Sequence, residues 1–484
     1  MSINLIEIKS KVLLAVAIAT LSGCAIRSEP AQLTMPLPEH WSEAGATAAQ
    51  PEPDWWQSFD SDELGSLIAI ALQESPDMAI AIERIRQAEA TVRSAGSSLF
   101  PSLNLDASSG RRRTTPDGGA TSISDSTSVG LGVSYEVDLW GRLSAGQRAA
   151  EAVLDSSRYD RETARLTLTT GVANGYFQVL ATRARLQVAR DNLAIAERLM
   201  RIIDVRYRNG AASALDVSQQ TTAVLVTRAA LPPLEAQERQ ALSALAILLG
   251  RQPQGFTLAD KNITDLAVPE IGAGLPSELL MRRPDLASAE AQLRAADADL
   301  DAARAALLPS MQLAGSGGLT TGDLLGLSAP IRSVGISGSL AQSIFDGGRL
   351  RSQVASSESQ RRQLLETYRA AILAALKEVE DALSNANRYY QQEIDQTAVR
   401  DEARRTLRLA ELRLREGAAE MSTVLEAQRA LYSSEDQLAQ LRLSRLSSAI
   451  DVIKAAGGGW QRGADLSTNV SANRDATTTA EQTR

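Results

Sequence analysis

Residues 141–210 read GRLSAGQRAAEAVLDSSRYDRETARLTLTTGVANGYFQVLATRARLQVARDNLAIAERLMRIIDVRYRNG, without a proline anywhere in the stretch. Strand-like residues precede it and a glycine closes it. A helix over residues 141–209 would be about 100 Å long, because an α-helix rises about 1.5 Å per residue. Ordinary helices of globular domains span only three or four turns. The stretch therefore predicts one very long helix around which the rest of the chain is organised.

This stretch has a second copy, residues 348–417, about two hundred residues further along the chain. Recurrence at a fixed period indicates an internal repeat, which has to be recognised before a fold is assigned. Four landmarks recur in the same order in both halves: Pro76-Asp77 and Pro284-Asp285, Phe100-Pro101-Ser102 and Leu308-Pro309-Ser310, Gly141-Arg142-Leu143 and Gly348-Arg349-Leu350, and the turns that end at Gly210 and Gly417.

Each half predicts a helix, a β-hairpin, the long helix, a sharp turn and a return helix. In the first half a helix begins at Ser75-Pro76, with serine as the N-cap and proline at the first helical position. The combined length of the helix before the hairpin and the return helix should be about 90–100 Å, which matches the length of the long helix. Two shorter helices laid end to end against one long helix predict an even antiparallel bundle. Pro232-Pro233 predicts a break in the first return helix.

Residues 127–139 alternate between apolar and polar side chains with the period of a β-strand. An echo of the alternation lies at 333–344, and the length suits a tilted strand that crosses a membrane. A half-buried sheet in a soluble sandwich fits the same pattern. The polar connector 110–126 predicts an outward loop. The apolar positions of the first strand are Val129, Leu131, Val133, Tyr135, Val137 and Leu139, and the alternate positions are Ser128, Gly130, Gly132, Ser134, Glu136 and Asp138.

Four strands of this kind cannot close a barrel, and an open sheet edge cannot lie in lipid, because its backbone groups would have no hydrogen-bond partners. If the strands cross a membrane, closure has to come from other copies of the chain. Two, three or four chains would supply about eight, twelve or sixteen strands, all within the range of known membrane barrels. The strands alone leave that number open.

The N-terminal residues 1–23 have the pattern of a secretory signal peptide. Lys9 and Lys11 precede an apolar run that is too short to span a bilayer. The run ends in Leu21-Ser-Gly-Cys24, which resembles the lipobox of bacterial lipoproteins, so Cys24 is the predicted lipidation site. Because Cys24 is the single cysteine, disulfides within the chain are excluded. The lipidated form would then begin with a proline-rich extended arm, residues 24–60, with Trp55, Trp56 and Phe59 docking it against the body.

Composition argues against several functional classes. The net charge of −8 and the pI near 5.1 disfavour a nucleic-acid partner, which needs a basic surface. His40 is the single histidine and lies in the proline-rich arm, so catalytic triads and histidine-ligated metal sites have little material. Gly457-Gly-Gly459 precedes a tryptophan instead of the Lys-Ser/Thr of a phosphate-binding loop. The sequence predicts neither an enzyme nor a cofactor, apart from the covalent lipid on Cys24.

The residues resemble the outer-membrane factor family, the TolC-like exit channels, and within it the efflux lipoproteins of RND-type tripartite systems. The resemblance covers nearly all of the mature chain. Its most specific stretches are Leu275-Pro-Ser-Glu-Leu-Leu-Met-Arg-Arg-Pro-Asp285 and Ala289-Glu-Ala-Gln-Leu-Arg-Ala295. Further matches are Tyr135 through Gly141-Arg142, Phe345-Asp-Gly-Gly-Arg349, Glu426-Ala-Gln-Arg429 and Ala456-Gly-Gly-Gly-Trp460.

The resemblance implies a fold that is mainly α with membrane β: a homotrimer whose twelve-stranded barrel, four strands per chain, continues into a long periplasmic α-helical barrel. It implies a lipid-anchored protein of the outer membrane with a large periplasmic portion. The expected partners are outer-membrane lipid, a periplasmic adaptor (membrane fusion) protein and an inner-membrane RND-type pump. The expected function is passive exit of small molecules from that pump. The alternatives are the exit duct of a type I protein-secretion system and a coiled-coil lipoprotein scaffold without a pore.

The resemblance also assigns candidate sites. The turns at Gly210-Ala211 and Gly417-Ala418 become the tips that contact the adaptor. Glu426 and Arg429 match the family's periplasmic gate, where three Glu426 carboxylates near the trimer axis would favour cations. Asp216 takes the corresponding place after the first tip and is a weaker gate candidate. Ala419 stands where certain members carry an arginine, so a closure built on that arginine is not expected here.

The predicted organisation follows from these assignments. It comprises a signal peptide (1–23), a lipid-anchored arm (24–60), a first repeat (61–250, with a hairpin at about 102–139 and a long helix at about 141–209), an equatorial linker (251–274), a second repeat (275–456, with a hairpin at about 310–345 and a long helix at about 349–416), and a C-terminal equatorial segment with a flexible tail (457–484).

Overall fold

A computed structural model describes residues 26–31, 35–42, 50–259 and 261–462. The predicted signal peptide and Cys24 lie outside these residues. The chain divides into two compact units. The strand-bearing unit comprises 1–34, 84–158 and 288–370, and the second unit, which holds both helical turns, comprises 35–83, 159–287 and 371–484.

Helices dominate the described residues. None of the helices found there is both long and apolar enough to cross a membrane. The helices are α1 (Asp62–Glu74), α2 (Pro76–Ser97), α3 (Arg142–Arg208), α4 (Ala214–Ala229), α5 (Leu231–Leu248), α6 (Leu279–Arg282), α7 (Pro284–Ala305), α8 (Arg349–Arg415) and α9 (Met421–Ala455), and the strands are β1 (Ser102–Thr114), β2 (Ser122–Val137), β3 (Ser310–Thr321) and β4 (Ile331–Ala341).

The two long helices predicted from the sequence are observed, and α3 and α8 each contain 67 residues. Each begins beside an aspartate whose role was not evident from the sequence. Asp138 accepts hydrogen bonds from the amides of Leu143 and Ser144, both at 2.9 Å. Asp346 accepts hydrogen bonds at 3.0 Å from amides at the start of α8, and these backbone bonds lower the pKa of its carboxyl group. A carboxylate at a helix N-terminus satisfies amides that have no partner within the helix.

The first return helix is broken where the sequence predicted. It ends at Ala229, and the next helix starts at Leu231 with the two prolines in its first turn, where a missing N–H costs no hydrogen bond. In the second repeat α9 runs unbroken over 35 residues. The prediction of a single helix before the first hairpin was incomplete. A separate helix, α1, precedes it and is capped by the Ser61 hydroxyl, which accepts from Leu64 N at 3.3 Å.

In the strand-bearing unit the four strands form one antiparallel sheet in the order β1-β2-β3-β4. Leu105 lies opposite Leu131, and Leu131 opposite Gly317, so the predicted alternation places leucines and valines of β1 and β2 on one face. The prediction that residues 110–126 form a loop was wrong. The first hairpin continues to Thr114 because bonds between opposite side chains, including an ion pair of Arg111 with Asp125 at 2.6 Å, extend the ladder.

Small residues line the helix contacts of the strand-bearing unit. Ala145, Ala149 and Ala291 are buried. Hydroxyl groups of Ser156 and Ser288 meet at 2.9 Å between α3 and α7. Short side chains let two helices approach closely along a long seam.

The second unit has an aromatic core. Trp55 and Phe59 are buried there with Tyr176 and Phe177 of α3, as the docking role predicted for the arm's aromatic residues requires. The rings of Phe59 and Phe177 lie 5.2 Å apart. Tyr176 donates a hydrogen bond to Glu63 at 3.0 Å, and burial raises the pKa of its phenol to about 12. A buried tyrosine needs such a partner for its hydroxyl group.

Candidate functional site

The two turns between the long helices and their return helices have the same backbone geometry. Gly210 and Gly417 both have a φ of +72°, which suits glycine because it has no Cβ. Ala211 N donates to Arg206 O, and Ala418 N donates to Arg413 O, both at 2.8 Å. With the shorter-range bond from each glycine amide, these contacts form the Schellman motif that ends many helices.

Both turns are open to contact from outside the chain. Apart from the glycine and its two chain neighbours, no atom of the described chain lies within 4 Å of the position that a Cβ on Gly210 or Gly417 would take. Ala211 and Ala418 are exposed beside them. The turns therefore present small residues and open backbone, which another helical hairpin can approach closely.

Contacts between α3 and α8 hold the two turns together. Arg206 Nη1 donates to Leu414 O at 2.7 Å, one residue before the end of α8. Further from the turns, Arg198 pairs with Glu411 at 2.7 Å. Between these polar contacts lies an apolar cluster that includes buried Leu199 of α3. The turns thus form one packed unit, which the sequence did not reveal because the partners come from different repeats.

Asp216 is engaged in a helix cap. The Ser213 hydroxyl accepts a hydrogen bond from Asp216 N at 3.2 Å, and an Asp216 carboxylate oxygen accepts from Ser213 N at 2.8 Å. This reciprocal pair is a capping box at the start of α4. The hydrogen bonds from the amide and the hydroxyl of Ser213 lower the pKa of the Asp216 carboxyl group. The geometry assigns this carboxylate a role in starting the helix.

Glu426 and Arg429 lie on the exposed side of α9. The buried side carries Met421, Val424, Gln428 and Leu431 at alternating spacings of three and four, the seam of a coiled coil. Gln428 crosses that seam to donate to Asn192 Oδ1 of α3 at 2.9 Å. The Glu426 and Arg429 charges fall between the seam positions and therefore lie outside the packed core.

Neither charged side chain has an ion-pair partner within the part of the chain that the structure describes. Glu426 and Arg429 are both exposed. They lie three residues apart on one helix, a spacing at which the two charges can interact. This arrangement leaves the carboxylate and the guanidinium available to an ion, to solvent or to another copy of the chain.

Alignment of the two return helices shows that Asp216 is not the first-repeat counterpart of Glu426. Counted from their first residues, Ala214 and Met421, Glu426 corresponds to Gln219 and not to Asp216. The position of Arg429 is occupied by a threonine in the first repeat. The turn glycines give the same result. Asp216 lies six residues after its glycine, whereas Glu426 lies nine residues after the equivalent glycine. This pair of opposite charges thus comes from the second repeat alone.

In residues 26–31, 35–42, 50–259 and 261–462, no group of three histidine, cysteine, aspartate or glutamate side chains is placed to hold a metal ion. The chemical groups that the site presents are a pair of opposite charges on the exposed side of α9 and the open backbone of the two turns.

Comparison with known proteins identifies what the chain resembles. A family model described as outer membrane efflux protein matches it twice, at residues 67–251 and 275–458, once for each repeat. The pyoverdine export outer membrane protein OpmQ of Pseudomonas aeruginosa is 42% identical over 460 residues, which cover 91% of this chain and 95% of that protein. The toluene efflux pump outer membrane protein TtgC of Pseudomonas putida is 32% identical over 465 residues, covering 93% and 96%.

A solved structure shares the fold. The open state of the MtrE outer membrane channel of Neisseria gonorrhoeae superimposes with a TM-score of 0.81 at 26% identity, covering 91% of this chain and 99% of that one.

Proposed function

Because the chain belongs to the outer membrane efflux protein family, we propose that it acts as the trimeric exit duct of a tripartite system, passively conducting molecules that an inner-membrane pump of the RND type and a periplasmic adaptor deliver. The observation that carries this proposal is the sheet β1-β2-β3-β4. Its apolar face is exposed, and its two outer strands have no partner strand within the described chain. An exposed apolar face suits lipid, and the polar face suits a water-filled lumen.

The two open edges support closure of the sheet by further copies of the chain. Strand β1 of one chain can pair with β4 of the next, and three chains of four strands make a closed barrel of about twelve strands. Closure satisfies the backbone groups that an open edge would leave without partners in lipid. Three chains are the number that the resemblance to the outer-membrane factor family implies, and the similarity to channel structures is consistent with it.

Lipidation at Cys24 is supported by the path of the residues that follow it. Residues 26–31, which we call the strap, donate amide hydrogen bonds to Trp140 O at 3.3 Å, to Asp301 Oδ1 at 2.6 Å and to Asp297 Oδ2 at 3.3 Å. Trp140 follows the end of β2 closely, so the strap starts beside the end of a proposed membrane strand. We expect radiolabelled palmitate to be incorporated into the wild type and not into Cys24→Ser; equal labelling of the two would refute the assignment.

The tips at Gly210-Ala211 and Gly417-Ala418 are proposed as the adaptor contact. Their small residues and open surroundings favour the approach of another helical hairpin. Replacing Ala418 with the bulky Trp should abolish crosslinking to the co-purified adaptor while trimers still form. The matched control is Ala430→Trp, on the exposed side of α9 away from the turn. Equal crosslinking by both variants would contradict the proposal.

Glu426 and Arg429 are proposed as the gate charges. In a trimer, three Glu426 carboxylates near the axis would attract cations, and Arg429 would hold a neighbouring carboxylate. In planar bilayers under a salt gradient, Glu426→Gln should shift the reversal potential to a value that indicates a weaker preference for cations. Asp216→Asn is the control, because its carboxylate already serves a helix cap. An unchanged reversal potential in Glu426→Gln would exclude the assignment.

The cargo is proposed from the relatives. OpmQ, at 42% identity, exports pyoverdine, whereas TtgC, at 32% identity, belongs to a toluene efflux pump. The higher identity favours a pyoverdine-type metabolite over an apolar solvent. The chain should restore pyoverdine secretion in a strain that lacks OpmQ, and should fail to restore toluene tolerance in a strain that lacks TtgC. The opposite pattern would refute this cargo.

Conductance tests the function as a whole. Full-length protein purified in detergent should insert into planar bilayers as trimers and conduct ions without an energy source. A preparation that stays monomeric and never conducts would refute the proposal and favour a coiled-coil scaffold without a pore.

A further inference from the structure

The loop between β3 and β4, residues 322–330, folds back over the apolar face of the sheet. Thr127 Oγ1 donates to Asp323 O at 2.7 Å, and Leu325 N donates to Ser109 Oγ at 3.1 Å. By the strand register, Ser109 and Thr127 are directly opposite each other, on the face that carries the leucines of β1 and β2. The loop therefore crosses the far ends of β2 and β1 on the side that the proposed barrel turns towards lipid.

Backbone strain accompanies this path. Leu325 has a φ of 56° and Ala329 a φ of 46°. Residues other than glycine rarely adopt such angles, and the surroundings have to hold them there. Leu325 nevertheless leaves 84% of its surface exposed, and Leu327 leaves 44%. The strained backbone costs free energy, and it leaves the Leu325 side chain exposed. Burial of that side chain against an apolar partner would offset the cost.

A groove lies between this loop and the sheet. Its volume is about 500 Å³, within the range of small-ligand sites of about 300–1,000 Å³. Alanine, valine and leucine side chains share its wall with hydroxyl groups. The lining residues are Ala107, Ser108, Ser109, Thr127, Ser128, Val129, Leu325, Gly326 and Leu327.

Arginines lie on the same face of the sheet, outside the groove lining. Arg111 lies opposite Asp125 and is neutralised by it at 2.6 Å. Arg113 is next on that face of β1, opposite Ile123, and is exposed. Arg332 takes the same face of β4 and is also exposed. Within the described chain neither Arg113 nor Arg332 is in an ion pair, so positive charge borders the end of the apolar face.

We propose that this face, resting on the barrel orientation proposed above, binds an anionic membrane lipid. Its acyl chain would lie in the groove against Leu325 and Val129, and its phosphate on Arg113. Guanidinium groups bind phosphate through paired hydrogen bonds.

The choice of a lipid over a soluble anion follows from continuity. The groove opens onto the apolar face of β1–β4, so an occupant with an acyl chain extends a surface that already suits lipid. A soluble phosphate would use Arg113 and leave Leu325 exposed. The lipid class that combines phosphate monoesters with acyl chains in the outer leaflet of a bacterial outer membrane is lipid A.

The charge requirement is tested by native mass spectrometry of full-length trimers whose conductance has been verified, titrated with bisphosphorylated lipid A in detergent. Each arginine near a membrane surface changes lipid affinity about fivefold. Arg113→Gln should therefore lower lipid A affinity about fivefold. The matched control is Arg112→Gln, which removes the same charge one residue away on the opposite face of β1 and should leave the affinity unchanged. Equal effects of the two substitutions would overturn the proposal.

The acyl requirement is tested at the loop. Leu325→Asn keeps a residue that tolerates a positive φ and removes the apolar side chain. It should weaken lipid A binding, whereas Ala329→Asn, at the other strained position and outside the groove lining, should not. Retention of phosphatidylethanolamine as strong as that of lipid A, or full displacement of lipid A by inorganic phosphate, would refute the site. Conducting trimers that retain no lipid A refute the site alone, whereas protein that never conducts refutes the proposed function and with it this site.

Discussion

Removing the carboxylate of Asp216 separates a helix cap from a gate. In the substitution Asp216→Ala, the first turn of α4 loses the bond that Ser213 N donates at 2.8 Å and the one that the Ser213 hydroxyl donates at 2.8 Å. Loss of a cap costs about 1 kcal/mol, and a negative charge in the first turn contributes roughly 0.3–1 kcal/mol more. We expect the local free energy of opening of this turn to fall by about 1–2 kcal/mol, which speeds local amide exchange roughly 5- to 30-fold.

Hydrogen exchange measured on peptides from residues 211–222 reports this loss directly. Peptides from 418–429 are the internal reference, because the second return helix begins at Met421 and its N-cap residue, Glu420, makes no side-chain cap bond. The matched control is Thr423→Ala, at the equivalent position in the second return helix. It should change the local free energy of opening by no more than about 0.5 kcal/mol. Unchanged exchange in Asp216→Ala would refute the capping argument.

The pH dependence of the cap has a defined sign. The pKa of Asp216 is lowered in the folded chain by the bonds from Ser213. A lowered folded pKa means that the stabilisation is present above the ordinary aspartate value of about 4 and is lost as pH falls through the folded pKa. The exchange difference between wild type and Asp216→Ala should therefore persist at neutral pH and vanish in acid. A difference that grows in acid would contradict the assignment.

Three further groups of substitutions test other parts of the structure. Gly417→Ala should lower the free energy of unfolding by about 1–2 kcal/mol, because the φ of +72° strains any residue with a Cβ although the space around it is open. Gly457→Ala should cost more and lower the thermal unfolding midpoint further, since its Cβ would lie 2.0 Å from a carbonyl oxygen; a smaller shift than for Gly417→Ala would contradict this. Arg206→Ala should raise channel open probability several-fold in planar bilayers while exposed Arg201→Ala does not, because Arg206 joins the two turns at 2.7 Å. Asp301→Asn should make the strap more susceptible to limited proteolysis, since Asp301 accepts a strap amide at 2.6 Å; equal cleavage rates would contradict the role of the strap bonds.

Local pattern was sufficient for much of the fold. The long helix before Gly210 and the break at Pro232-Pro233 were predictable, because helix continuation, termination at glycine and disruption by proline are decided by residues a few positions apart. The apolar face of β2 was predictable for the same reason, since successive side chains of a strand point to opposite faces.

The extent of the hairpin was not predictable. Residues 110–126 look like a loop because they are polar and glycine-rich, yet Arg111 and Asp125 face each other and continue the strands. Composition describes each residue separately, whereas a cross-strand ion pair depends on the register of two strands.

The candidate gate shows the same division. The resemblance to the outer-membrane factor family identified Glu426 and Arg429 as gate candidates, with Asp216 as a weaker one. The folded chain separates them: Asp216 closes a cap, while the other two remain exposed on α9. Which side of a helix is buried depends on its neighbours, and those neighbours come from both repeats.

The sequence by itself determined the repeated plan of long helices, turns and two-faced strands, because each of these depends on the order of nearby residues. Tertiary structure alone decided that Arg206 reaches Leu414, that the strap lies on Asp297 and Asp301, and that the loop 322–330 covers a groove on the sheet. These contacts join residues about two hundred or more positions apart along the chain. No local pattern encodes such partners, because side chains distant in sequence meet only where the packing of whole elements brings them together.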